Sequence, residues 1–290
     1  MPMDAASYIN TLEQLGLEQR QAAAPTFAVV DLAVDESFLG QLYGAMTSSA
    51  ITWSSLLTGT RWESAWKTGP ILVKLSGHEK FASDIAQDMA NQPLGMLIET
   101  PLDASSAHTY FQSLLLSTAR QDETLFRFYE PRMLTALLAA LGEKRHRLIR
   151  KGEAWSWHDG YDWKACRSDF HAATDLSSEP PKLSSEELAS VPQYRTADKA
   201  IRYRHAYRSH LPDAPDQTVW IMARLLEARE SGLKSSALQE RWLRLALQHG
   251  ASFQKTPPFE KVMHDPSMTP QERLMAMESL SESSHAAVSG

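Results

Sequence analysis

The chain has 290 residues, which at roughly 150 residues per domain sets a prior of two domains. Hydrophobic residues make up 43% and charged residues 22%, an ordinary globular balance that excludes disordered, collagen-like and supercharged classes. Lys+Arg 29 against Asp+Glu 35 leave a net charge of −6, so no general attraction to nucleic acid or anionic lipid exists, and the single cysteine, Cys166, excludes an intrachain disulfide and a multi-cysteine metal site. The opening MPMDAASYINTLEQLGLEQR lacks a basic segment followed by an apolar one, and no run reaches the ~18 apolar residues of a membrane span. The expectation is a soluble, cytoplasmic protein in a reducing compartment.

From Thr26 to Arg167, short apolar runs alternate with segments of helical period, the pattern of an α/β layer domain. Phe27, Val29 and Val30 form a first strand. Asp35 then caps a helix in which Phe38, Leu39, Leu42 and Tyr43 recur at helical spacing, and Gly40 and Gly44 permit close approach of another backbone. Leu56-Leu57 and Ile71 to Leu75 are the next strands, the latter opened by Gly69-Pro70. Leu94 to Ile98 follows. Asp103 starts a helix with Ala107, Tyr110, Phe111, Leu114 and Leu115 on one face. Leu125 to Tyr129 reads as a strand, and Pro131 as the first residue of a helix carrying Met133, Leu134, Leu137, Leu138 and Leu141. The recurrence of strand, helix and strand predicts that part of the sheet is parallel.

AWSWHDGYDWKA, Ala154 to Ala165, reads as a hairpin turning at Asp159-Gly160. Trp155 and Trp157 share one face, with Tyr161 and Trp163 on the other. A strand pair apolar on both faces implies cover on both, by a second layer or by a partner. Between Thr174 and Pro192 the composition turns to Ser, Glu and Pro, the signature of a linker, with Ser184 and Glu187 able to cap one short turn. Beyond it the pattern is helical. Val219, Met222, Ala223 and Leu226 form a stripe, Ser236 with Gln239 a weak capping box, Gly250 a stop, and Thr269-Pro270 with Glu272 another start. The chain therefore reads as an α/β (α+β, mixed-sheet) N-terminal lobe over 1–170, a linker over 171–195 and an all-α C-terminal lobe over 196–290.

Signatures of chemistry are scarce. No two glycines stand two residues apart, which excludes the dinucleotide-binding G-x-G-x-x-G turn. No phosphate-cradling G-x-x-x-x-G-K-[ST], H-E-x-x-H or G-x-S-x-G is present. His205 and His210 lie roughly 140° apart around a helix and do not share a face for a metal. Ser76-Gly77-His78-Glu79 reads as a loop entering a helix rather than as a triad, which forms in space and not along a loop. Cys166 reads as a small buried hydrophobe. No catalytic residue, metal or cofactor is expected. The most charged segment runs over 195–208, where Arg195, Lys199, Arg202, Arg204 and Arg208 outnumber Asp198 and Tyr203 and Tyr207 interleave. Basic plus aromatic is one footprint of nucleic-acid contact. An amphipathic helix docked by its tyrosine stripe, its long cations reaching solvent, accounts for the same residues and is favoured by the net acidity. Met263, Met268, Met275 and Met277 fill a core or form an adaptable surface.

Several stretches together resemble the bacterial family catalogued as domain of unknown function 4123: FAVVDLA, LLTGT with Glu63, GPILVKL, LGMLIET, and above all LFRFYEPRMLTALLAAL followed by the aromatic hairpin ending in Asp162-Trp163. The resemblance spans Thr26 to Arg167, and the helical C-terminal part is similar to the variable second lobe that accompanies the domain. It implies a type VI secretion adaptor: a cytoplasmic chaperone that binds a cognate effector, near the effector's N-terminus, and loads it on the VgrG or PAAR spike without catalysis. It further implies a cradle formed by the two lobes, with no membrane or nucleic-acid partner. Aromatic anchors and arginine pairs would then give specificity. The candidates are Trp155, Trp157, Tyr203, Tyr207 and Trp220, with Arg202 and Arg208 as charge partners; Arg132 is assigned to structure, bonding strand-end carbonyls. The alternatives are a hydrolase with an unrecognised site and a nucleic-acid binder acting through 195–208.

Overall fold

A computed structural model of the chain describes residues 4–116, 124–168 and 183–288. The chain divides into two compact units, one formed by Glu13–Pro192 and the other by Met1–Leu12 with Gln193–Gly290. The first helix, α1 (Ala5–Glu13), falls almost wholly in the second unit. The first unit is a six-stranded sheet flanked by helices, and the second is helical.

The sheet comprises β1 (Phe27–Asp31), β2 (Trp53–Ser55), β3 (Pro70–Lys74), β4 (Gly95–Glu99), β5 (Ala154–His158) and β6 (Trp163–Arg167), in the order β2-β3-β1-β4-β5-β6. Every neighbouring pair is antiparallel, so the expected parallel pairing is absent. The crossovers explain why the pattern misled. The helix α2 (Phe38–Met46) links β1 to β2, and α3 (Glu79–Asn91) links β3 to β4. The linked strands do run in the same direction, as such connections require. Each link, however, skips one position: β3 stands between β1 and β2, and β1 stands between β3 and β4. The result is a split β-α-β arrangement in which no two parallel strands touch.

Period-two alternation sends opposite residues to opposite faces. Ala28, Val30, Ile71, Val73 and Leu97 pack against Phe38 and Leu42 of α2 and Phe81, Ile85 and Met89 of α3, with Trp53 and Trp163 at the margins. The opposite face carries Ile98 and, in register with it, Trp155. The helices α4 (Ala104–Leu115) and α5 (Pro131–Leu141) follow β4, and Phe111 of α4 packs on Trp155 at a centroid distance of 6.2 Å. Both faces of the strand pair are thus covered by this chain itself, the first of the two expected solutions, while Tyr161 in the turn is exposed. Two helix starts behave as the sequence predicts: Asp103 accepts from Ser105 and Ser106 N–H, and Pro131 stands in the first turn of α5, which Glu130 caps.

Several local expectations differ. Residues 125–129 are not a strand: Phe126 N–H bonds Leu115 C=O, and Phe128 and Glu130 N–H bond carbonyls two and three residues back. The alternation of buried Phe126 and Phe128 comes from a turn pressed on the core. Beyond the last strand pair, His158 and Trp163, Asp159 N–H bonds Asp162 C=O, so the two-residue turn is centred on Gly160-Tyr161 and not on Asp159-Gly160. Asp159 organises it by accepting from Tyr161 and Asp162 N–H. Leu56 and Leu57 lie just past β2, and Asp35 bonds Ser37 ahead of α2 without capping it. An added Cβ at Gly40 or Gly44 would meet no atom within 4 Å, so among the described residues no backbone uses the approach they permit. Arg132 bonds the Glu130 carboxylate, not carbonyls. Of the linker read at 171–195, residues 169–182 lie outside the described residues. Residues 183–192 hold α6 (Ser185–Leu188), capped by the expected Ser184–Glu187 box, and the start of α7 (Val191–Ala206).

In the helical unit α7 is followed by α8 (Gln217–Glu230), α9 (Ser236–His249), α10 (Pro257–Met263) and α11 (Pro270–Val288). Tyr8 of α1 meets Tyr194 of α7 edge-on at 4.9 Å. Trp242, Leu245 and Phe253 centre the core, with Phe259, Leu274 and Met277 around them. The buried stripe of α8 is Ile221, Met222, Leu225 and Ala228, while Val219 and Leu226 are only half-buried. Ser235, not Ser236, caps α9, which frees Gln239 for the interior. Met277 is core and Met275 exposed.

Candidate functional site

The seven sequence candidates fall into three environments. Trp155 and Trp157 are fully buried, and Trp155 completes an aromatic cluster with Phe111 and Phe128. They are core residues and present no surface, which corrects their assignment as anchors. Trp220 is half-buried, packs on the helical core, and lies under the Arg224 guanidinium at 5.5 Å. Arg202, Tyr203, Tyr207 and Arg208 belong to one helix and the turn after it.

Tyr203 of α7 and Tyr207 just past its end meet edge-on at 5.9 Å, and both hydroxyls donate to the Glu240 carboxylate of α9, at 3.3 and 2.7 Å. This is the tyrosine-docked helix expected from the spacing. Arg202 bonds Asp198 at 2.6 Å, Arg204 donates to Thr218 Oγ1, and Arg208 is exposed. Lys199 lies among these cations. Its Nζ donates to Gln239 Oε1 at 3.0 Å, an uncharged acceptor. Burial, then the charges of Arg195, Arg202 and Arg229, pull its ammonium down to about 8.

That depression has a sign. Between about pH 8 and 10.5 the unfolded chain keeps the Lys199 proton and the folded chain has lost it. Stability from this residue therefore rises with pH across that window, and the penalty for holding the charge is complete below it. Lys199→Met is expected to raise stability at pH 7 by roughly 1 kcal/mol, after discounting for solvent screening and for the Gln239 carbonyl left without its donor. Denaturant melts of both proteins between pH 7 and 10.5 check it: the variant's gain must shrink as pH rises.

A second surface, in the sheet unit, escaped the sequence reading. Tyr43 and Met46 are 46% and 39% exposed, two of four large hydrophobics so exposed among the described residues. Tyr43 leans on Trp53 of β2 at 6.2 Å, Trp53 stacks on Trp66 at 5.8 Å, and the Lys67 ammonium stands 5.9 Å from the Trp66 ring. The strand β2 ends the sheet. At the other end β6 is bridged by Glu18, whose N–H and C=O both bond Ala165. On the other side of Trp53 a pocket of about 390 Å³ is lined by Phe27, Leu72, Lys74, Ser105 and His108. Helical spacing groups Tyr43 with Phe38, Leu39 and Leu42, but Phe38 and Leu42 are the buried residues and Tyr43 lies a hundred degrees further round from Leu42. The signal available was the tryptophan-rich stretch at 62–66, outside any strand.

A third cluster sits where β1 ends. Asp31 is buried and pairs with Arg127; Glu130 holds Arg132 through two bonds of 2.7 Å. Burial pushes the Asp31 carboxyl up, and Arg127 only partly offsets it. Burial also opposes ionisation of Glu130, but Arg132 outweighs it and holds that carboxyl below the usual range. With Phe128 and Tyr129 in the core, the Phe-Tyr-Glu-Pro-Arg phrase is a structural clamp. Ser76, His78 and Glu79 are not joined: Ser76 Oγ reaches Thr26 C=O at 3.5 Å, and His78 precedes the first turn of α3. Among the described residues no three His, Cys, Asp or Glu side chains are grouped to hold a metal ion, and no helix is long and apolar enough to cross a membrane.

Residues 26–147 match the family described as Domain of unknown function (DUF4123). That segment holds β1 to β4, the exposed aromatic edge and the Asp31 clamp. No curated protein and no solved structure gives a significant match.

Proposed function

We propose that the chain is an adaptor that binds a secreted effector of a type VI system and presents it to a VgrG or PAAR spike protein, without catalysis. The observation that supports it most is the Tyr43–Trp53–Trp66 edge inside the matched segment. Folding alone gives no reason to leave a phenol, a thioether and two half-buried indoles grouped at an open sheet edge, whereas a partner that covers them recovers the burial energy, at ~25 cal/mol per Å² before ordering costs. Aromatic side chains of this kind dominate protein interfaces.

The test is deletion of the gene for this chain. The effector is then expected to disappear from the secreted fraction, while a spike carrying other cargo is still fired. Tyr43→Asp, on the exposed side of α2, should cost under about 1 kcal/mol of stability and reduce effector secretion in the same direction. Equal secretion with and without the chain rejects the reading.

A further inference from the structure

We propose that the cationic face formed by Arg195, Lys199 and Arg202 of α7 with Arg229 of α8 is a docking site for an acidic peptide segment of the bound partner. The inference deepens the adaptor reading and rests on it. The three α7 residues are spaced i, i+4 and i+7, which sets them on one face of the helix. Arg229 comes from α8, and its charge acts on the Lys199 ammonium, so tertiary packing, and not helical spacing alone, brings the fourth charge near. Among the described residues neither Arg195 nor Arg229 has an ion-pair partner, and Asp198 is committed to Arg202. The cluster thus keeps a net positive charge in a chain whose total is −6.

Folding does not explain the arrangement. Lys199 is partly buried among like charges with only an amide oxygen to bond, a position where an apolar side chain is more favourable. Retained charge of this kind is characteristic of binding surfaces, where complementary charge supplies the missing partner. An acidic peptide fits better than nucleic acid for two reasons. The charge is confined to a short face instead of following a strand, and Tyr203 and Tyr207, the rings on which bases would stack, are held against the Glu240 carboxylate of α9.

The experiment uses the full chain and a short fluorescent peptide of alternating Glu and Ser, with a Lys-Ser peptide and a single-stranded DNA oligonucleotide of equal charge number as comparators. The Glu peptide is expected to bind, and the Lys peptide not. Arg195→Glu with Arg229→Glu should weaken binding by about a hundredfold, and Lys199→Met by about tenfold. Because Lys199→Met is expected to melt later than the parent, its loss of binding is not a loss of fold. Arg61→Ala, in the other unit, should bind as the parent does. Binding of the Glu peptide that is absent, or indifferent to these substitutions, overturns the assignment, and so does tighter binding of the oligonucleotide with the same dependence on them. The two readings fail separately. An effector that co-purifies with the chain regardless of the double charge reversal removes the docking site and leaves the adaptor. Peptide binding as expected, with no effector complex formed, removes the adaptor and leaves the site.

Discussion

Trp155→Ala is expected to lower the stability of the sheet unit by about 4 kcal/mol, the upper range for truncating a core side chain. Trp155 is fully enclosed. Its ring contacts Phe111 and Phe128, which stack on each other at 5.8 Å, and it lies beside Ile98 in the sheet register. Among the described residues its indole N–H has no hydrogen-bond partner, so its contribution is apolar area and contact: about 150–250 Å² at ~25 cal/mol per Å². Removal leaves a cavity between α4, the turn at 126–128 and the sheet. Trp155→Phe, which gives up no hydrogen bond, should cost under about 2 kcal/mol. Guanidinium titration of each variant, followed by near-ultraviolet circular dichroism, measures both. A loss below 1 kcal/mol for the alanine variant would contradict the core assignment and restore Trp155 as a candidate contact.

Gly95→Ala is expected to be as damaging, by about 4 kcal/mol or more, for a backbone reason. Gly95 opens β4 with φ +151, and a Cβ there would stand 2.0 Å from the Val29 carbonyl oxygen of β1. The obstacle is main chain in the middle of the sheet and cannot rotate aside. Both the strained dihedral and the clash must be relieved by separating β1 from β4, the pair on which the split arrangement depends. Gly40→Ala is the matched control: its Cβ meets open space within α2, and the gain in helix propensity should stabilise by up to about 1 kcal/mol. The same titration reads both, and a Gly95 variant that unfolds with the parent would refute the argument.

Residue pattern carried much of this fold and less of its surface. Helix ends were mostly legible because each is a local event: Asp103, Pro131, Ser184 with Glu187 and Gly250 all act within a few residues of their place in the chain, whereas at α2 and α9 the reading missed by one or two residues, Asp35 for Ser37 and Ser236 for Ser235. Strand direction was not, because β-α-β alternation fixes the relative direction of linked strands but says nothing of a third strand inserted between them. The segment around Phe126 and Phe128 shows the limit of periodicity: burial of alternate residues is shared by a strand and by a turn pressed on a core. At the surface, Trp155 and Trp53 are equally apolar in sequence. Their fates differ because Trp155 lies inside the sheet under α4, whereas Trp53 lies at its end. The cationic face was partly legible, since Arg195, Lys199 and Arg202 repeat along one helix. Arg229 and Gln239 join them only through the packing of α8 and α9.

The most direct measurement is the mass and composition of the chain purified after co-expression with a candidate effector toxin. Light scattering on the eluted peak should give a stoichiometric complex of the two polypeptides, and intact-mass spectrometry should find each covalently unchanged after prolonged incubation. A toxin that is soluble and elutes alone, or one that is cleaved or modified by this chain, would contradict the account.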